Sequence, residues 1–151
     1  TGLYILHSSE FVLPQPYLAS TYNCNVAVYN IASRYAQFNN HNVATLCNLA
    51  KHIESTTAGE LVYMKGKELT VVGNLPINPL FTHFLQFVAQ NNYSLSRNLQ
   101  CEAAHLENAN DVFIFSIENG IRWVSRVNNS VYGFKYAKDL HQLLLRFLEE
   151  L

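Results

Sequence analysis

The sequence predicts an α+β domain, and three observations carry that prediction. In DVFIFSIENGIRWVSRV (111–127), two strand-like runs flank Asn119-Gly120, a hairpin signature. A second period-two pair, ELVYM and ELTVVG, flanks KGK at 65–67. Elsewhere the apolar spacing changes to three and four, as in NPLFTHFLQFV from Asn78 and DLHQLLLRFLEEL from Asp139, which predicts helices.

Taken in order, LYIL at 3–6 predicts a short strand, and LPQPY at 13–17 interrupts regular structure. From Asn23, a helix is predicted by Val28, Ile31, Ala32, Tyr35 and Phe38, and NNHN at 39–42 ends it. A second helix is expected with Val43, Leu46, Cys47, Ala50 and Ile53 on one stripe, up to STTAG at 55–59. The KGK hairpin follows. Asn78 is then a predicted N-cap, with Pro79 at the first helical position, where a missing N–H costs nothing. That helix carries Leu80, Phe81, Phe84, Leu85, Phe87 and Val88, an arc too wide for covering one sheet face. Each phenylalanine left in water would forfeit about 1.5–3 kcal/mol, so a second covering surface is required. LQCEAAHL at 99–106 alternates and predicts a strand. In the 111–127 hairpin, a two-residue turn places Arg122 opposite Ile117 and Arg126 opposite Phe113. VYGFKY adds a short strand, and a closing helix aligns Leu140, Leu143, Leu144, Phe147, Leu148 and Leu151.

Composition narrows the function. The 151 residues suit one domain; 49% are apolar and 14% charged, which excludes disorder. A net charge of −1 offers no footprint for nucleic acid or an anionic membrane, and no apolar run approaches the roughly 18 residues that would span one. Cys24, Cys47 and Cys101 form no CxxC pair, pointing to a reducing, cytoplasmic setting. The start, TGLYILHSS, lacks the basic region of a secretory signal and lacks Met, as expected of a piece of a longer chain. Six histidines show no ligand spacing and six glycines no phosphate loop, so neither metal nor cofactor is expected.

Three groups of residues are chemical candidates. Cys24 stands at a predicted helix start, where the helix dipole lowers a thiol pKa. Papain-like peptidases set their nucleophile on such a turn, with a histidine base on a later hairpin. Here Ile121-Arg122 hold the equivalent hairpin position, leaving His105 as the candidate base for an active or degenerate hydrolase. Arg122, Arg126 and Lys135 form a candidate docking patch for an acidic partner, and equally a solvated face. Trp123 reads first as core and second as an interaction anchor.

The order α-β-β-α-β-β-β-α over 43–151 resembles the roadblock/dynein-light-chain domains, relatives of profilin-like and longin folds. The resemblance rests on VATLCNLAKHIES, AGELVYMKGKELTVVGN, the long apolar helix and DLHQLLLRFLEEL. It implies an antiparallel five-stranded sheet flanked by helices, preceded by a strand-helix extension over 1–42. It also implies a non-catalytic dimeric scaffold or regulator of protein partners, small GTPases or multiprotein complexes among them. The implied interface comprises Phe81, Phe84, Leu85, Phe87, Val88, Leu99 and Cys101. Rival readings are the cysteine hydrolase and a GAF-like small-molecule sensor with a pocket beneath the long helix.

Overall fold

The computed structural model describes residues 3–12, 26–48, 50–73 and 78–151, with side chains from residue 29 onward. Among these residues, nine strands form one mixed sheet: β1 (Leu3–Val12), β2 (Val43–Cys47), β3 (Ile53–Thr56), β4 (Glu60–Lys65), β5 (Glu68–Val72), β6 (Ser94–Asn98), β7 (Asp111–Ser116), β8 (Gly120–Val127) and β9 (Ser130–Val131). Helices are α1 (Val26–Phe38), α2 (Pro79–Gln90), α3 (Ala103–Glu107) and α4 (Lys135–Glu149). The strand order is β3-β2-β1-β8-β7-β4-β5-β6, with β9 beside β8. Three pairings are parallel: β1 with β2, β1 with β8, and β5 with β6. The expected five-stranded antiparallel sheet is therefore corrected.

Three elements differ from expectation. The helix predicted over 43–53 is instead β2 and β3, joined by a tight turn. In that turn Lys51 has φ 64°, the Asn48 N–H donates to the His52 carbonyl, and the His52 N–H donates to Asn48 Oδ1. All five residues of β2 are buried, so the strand shows no period-two alternation, and its apolar residues mimic a helical stripe. The strand predicted over 99–106 is a turn leading into α3, and the strand lies earlier, at β6. The segment expected as an extension, 1–42, contributes β1 to the middle of the sheet, between β2 and β8.

Alternation along the central strands sends side chains into two cores. Val62, Met64, Phe113 and Phe115 meet α2 and α4 on one face. Leu61, Tyr63, Val112 and Ile114 meet Cys47, Cys101, Leu106 and Tyr132 on the other. The Tyr132 hydroxyl donates to the Leu106 carbonyl at 2.6 Å, satisfying the one polar atom of that ring inside the second core. A third, smaller cluster packs Ala32 and Ala36 of α1 on Ala44 and Leu46. Of the stripe predicted to bury α1, Ala32 is buried, but Ile31, Tyr35 and Phe38 are exposed, Ile31 at 57% and Phe38 at 88%.

Helix α2 is buried on two sides, as its wide apolar arc requires, and both surfaces come from this chain. Phe81 stacks on Phe115 of the sheet at 4.4 Å between centroids. Phe84 and Phe87 each lie 5.6 Å from Phe147 of α4. The inference that a second polypeptide must cover this helix fails, because the closing helix supplies the surface. Helix α4 is positioned in turn by Asp111 at the start of β7. Its buried Oδ2 accepts the N–H groups of Tyr136 at 2.6 Å and Ala137 at 2.9 Å, capping a helix whose own N-cap residue, Phe134, offers no side-chain acceptor.

The 111–127 hairpin turns through Ile117, Glu118 and Asn119, with Ser116 paired to Gly120 at φ +64°. This three-residue loop shifts the register. Arg122 lies opposite Ile114 and Trp123 opposite Phe113, in place of the expected Ile117 and Phe113 partners for the two arginines.

Candidate functional site

The end of the sheet where β4 begins and β7 ends carries a cavity of about 210 Å³, lined by Ala58, Gly59, Glu60, Asn78, Phe115, Ser116, Ile117 and Glu118. Its floor is rigid for local reasons. Thr56 Oγ1 accepts the N–H groups of Ala58 and Gly59 and donates to the Gly59 carbonyl at 2.8 Å, closing the loop that delivers Glu60. Gly59 has φ +144°, and a Cβ there would run into the Phe115 carbonyl, so glycine alone permits β4 to approach β7 so closely.

Glu60 is the chemically distinctive group. Burial raises its carboxyl pKa above the usual value, against the Asn78 backbone N–H that its Oε1 accepts at 3.3 Å and against Arg97 nearby. A carboxyl pushed upward beside a cavity fits the profile of a proton-transferring group. Asn78 is the N-cap of α2: its Oδ1 accepts the Leu80 N–H at 2.9 Å, and Pro79 follows without an N–H. Ser116, Ile117 and Glu118 form the far rim, where Ser116 Oγ accepts the Asn119 N–H at 3.2 Å. A second carboxylate, Glu54, is buried on β3 beneath the Asn48 amide, whose Nδ2 donates to its Oε1 at 2.9 Å. Gly73 presses on the Glu54 backbone from the neighbouring segment, where φ +94° admits no Cβ.

The residues singled out from sequence fall elsewhere. Cys24 lies outside the described residues. His105 is on α3, exposed, and its Nδ1 accepts the Glu102 N–H at 3.0 Å, so the ring serves as a helix cap. Phe81, Phe84, Leu85 and Val88 are buried within the chain, Phe87 is half-buried against Phe147, Leu99 is exposed, and Cys101 is fully buried in the second core. Burial pushes the Cys47 thiol up to about 11 and the Cys101 thiol up to about 12. Arg122 donates to Asn119 Oδ1 at 2.8 Å, Arg126 is exposed, and Lys135 sits over the Tyr136 ring at 5.6 Å. Trp123 packs against Phe134 and His141 at the edge of the first core. Among the described residues, no group of histidines, cysteines and acids is arranged to hold a metal, and no helix is long and apolar enough to cross a membrane.

No protein-family model and no curated protein matches the sequence. Solved structures do. A putative 4-amino-4-deoxychorismate lyase from Legionella pneumophila matches 97% of this chain with a TM-score of 0.78 at 20% identity. An aminotransferase from Brucella abortus, bound to the co-factor PLP, matches 96% with a TM-score of 0.81 at 12% identity. A fold IV-transaminase from Curtobacterium pusillum matches 98% with a TM-score of 0.75 at 13% identity. The chain has the fold of part of a fold IV transaminase. It spans 56%, 54% and 54% of those three chains, about half of each. These matches overturn the resemblance to roadblock domains and, with it, the scaffold-or-regulator reading that the resemblance implied. They equally displace the papain-like alternative, since the same residues form a mixed nine-stranded sheet of transaminase type. The roadblock order arises only when β2 and β3 are taken for a helix, the turn and helix over 99–107 for a strand, and β6 is left out.

Proposed function

We propose that the chain is one half of an enzyme of amino-group chemistry, in the class of the aminotransferases and aminodeoxychorismate lyases. The Glu60 cavity is then this half's share of the substrate site. The observation that supports the reading is the match of the whole chain, rather than a segment of it, to half of such enzymes. The cavity chemistry agrees with it. Glu60 and Glu118 carry carboxyl groups to the rim, and no lysine or arginine lines it, so an ammonium group is favoured there over an anion. Asn78 and Ser116 provide neutral hydrogen-bonding groups, and Glu60, poised upward by burial, can hold or release a proton beside the ligand.

PLP, which the Brucella enzyme binds, fits this half poorly. A protein tethers PLP through a lysine imine and faces its ring nitrogen with a charged partner. Glu54 is a buried carboxylate of suitable type for the second role, but no lysine lines the cavity. The start of α2, where backbone N–H groups attract a phosphate, is partly engaged: Pro79 has none, the Leu80 N–H binds Asn78, and Asn78 N–H faces the Glu60 carboxyl. No step is therefore written through PLP.

The test is thermal unfolding of the full-length protein with a panel of amino acids and the matching 2-oxo acids. Amino compounds should raise Tm where the 2-oxo acids do not, and Glu60→Gln should abolish the difference. Stabilisation by the 2-oxo acids alone, or by neither set, overturns the reading.

A further inference from the structure

We infer that no lysine of this half forms the imine that tethers PLP, so that this chain carries the transaminase fold without a lysine tether of its own. The inference goes beyond the proposed function, because an amino-group enzyme of this fold is the last place where an absent lysine would be expected.

The chain has five lysines, Lys51, Lys65, Lys67, Lys135 and Lys138, and every one is exposed. Lys51 sits in the turn between β2 and β3, and Lys65 and Lys67 flank the turn between β4 and β5, where Lys67 lies 5.7 Å over the Tyr93 ring. Lys135 and Lys138 stand on the first turn of α4, outside the buried stripe Ala137, Leu140, Leu143, Leu144 and Phe147. The segments whose structure is not described, 1–2, 13–25, 49 and 74–77, read TG, LPQPYLASTYNCN, L and NLPI, and contain no lysine. The conclusion about lysine thus covers all 151 residues.

Imine formation needs an uncharged amine that attacks the aldehyde carbon and expels water, and proteins secure that amine by burying the lysine or placing a cation beside it. Exposed ammonium groups are strongly hydrated and mobile, so they give reversible, unselective adducts at most. The cavity is also unfavourable to a phosphate. Beside the α2 N-terminus the ligand would meet the Glu60 and Glu118 carboxyl groups, no lysine or arginine lines the cavity, and the Asn78 N–H is engaged by Glu60. The cavity thus lacks the tether and disfavours the anion.

The experiment uses the full-length protein with one equivalent of PLP, followed by borohydride. Hydride addition to the C=N bond fixes any imine as a stable amine, and peptide mass mapping then locates it. The expected result is labelling at the five lysines that is far below one per protein and spread among them. A parallel variant with all five lysines replaced by arginine should keep the fold and the PLP absorption of the parent. Near-complete labelling of any one of the five, or loss of a PLP absorption band in the arginine variant, overturns the inference. Its failure is distinct from that of the proposed function. A selective adduct overturns only the present inference, whereas absence of amine-dependent stabilisation overturns only the amino-group reading.

Discussion

Replacing Asp111 tests how the sheet holds its closing helix. In the native protein Asp111 Oδ2 accepts both the Tyr136 and Ala137 N–H groups at the start of α4, and Phe134 before them has φ 60° and no capping side chain. Asp111→Ala strands two donors. Ala137 is fully buried, so its N–H loses the full desolvation penalty of about 1–3 kcal/mol, while half-buried Tyr136 loses about 0.5–1.5 kcal/mol because water can reach it. A total of about 1.5–4.5 kcal/mol follows. At a urea dependence of about 2 kcal/mol per molar, the unfolding midpoint should fall by roughly 0.8–2.2 M. Asp111→Asn behaves differently, because an amide oxygen in the same place keeps both hydrogen bonds and loses only charge-dipole attraction, about 0.3–1 kcal/mol. Urea unfolding followed by circular dichroism ranks the three proteins. An alanine variant at the native midpoint, or equal losses for both variants, refutes the capping argument.

Other outcomes follow from the same packing. Phe84→Glu should abolish folding, since Phe84 is fully buried among Phe81, Phe115 and Phe147, whereas Leu145→Glu at an exposed site should leave the melting curve nearly unchanged. A folded Phe84→Glu monomer seen by light scattering would contradict that burial. Gly73→Ala forces a Cβ against the Glu54 carbonyl at φ +94° and should cost well over the ~1 kcal/mol expected of Gly66→Ala, where φ is +58° but space is open; chemical denaturation compares them. Cys47 and Cys101 should resist thiol reagents at pH 8 in the native state and react on unfolding. Because their folded pKa values lie above the ordinary 9.0, the stability they contribute is complete below pH 9 and is lost as pH rises through about 11 and about 12. Glu60, also raised, contributes stability below its ordinary pKa of 4.5 that is lost as pH rises through the higher folded value. Glu60→Gln should therefore be more stable than native at pH 7, with the gap closing in acid.

Elements marked by cap or turn residues were legible in the sequence. Asn78-Pro79 and the phenylalanine spacing located α2, and the turn residues located the β4–β5 and β7–β8 hairpins. In α4 the stripe from Leu140 to Phe147 was found to the residue, although Leu148 and Leu151, assigned to it, are exposed. Strand β2, buried on both faces and without a hairpin turn signal to bound it, was not legible, because VATLC has no polar alternation to mark its period. Strand β6 was hidden for the opposite reason: Ser94 to Arg97 are all exposed, so no apolar alternation marks the strand. The width of the α2 arc was read correctly but answered wrongly, since sequence spacing does not say which neighbour covers a helix. The cavity was missed altogether. Glu60 looks like an ordinary strand-start acid, and only its burial in the fold, which outweighs the opposing pull of Asn78 and Arg97, makes it unusual. The five lysines were countable from the start, yet only the fold shows that all are exposed and that none lines the cavity.

Strand β1 lies in the interior of the sheet, and its far neighbour is β8, with Leu3 against Trp123. During synthesis the earlier strand must therefore wait for a partner roughly 120 residues downstream, about 6–24 s at ordinary elongation speeds of about 5–20 residues per second. Through that interval the edge of β1 that β8 will cover stays open to other nascent chains, and the sheet can close only after β8 has been made. Slow, late closure of this kind makes yield in cells sensitive to ribosome speed and chaperone supply, independently of how stable the finished protein is.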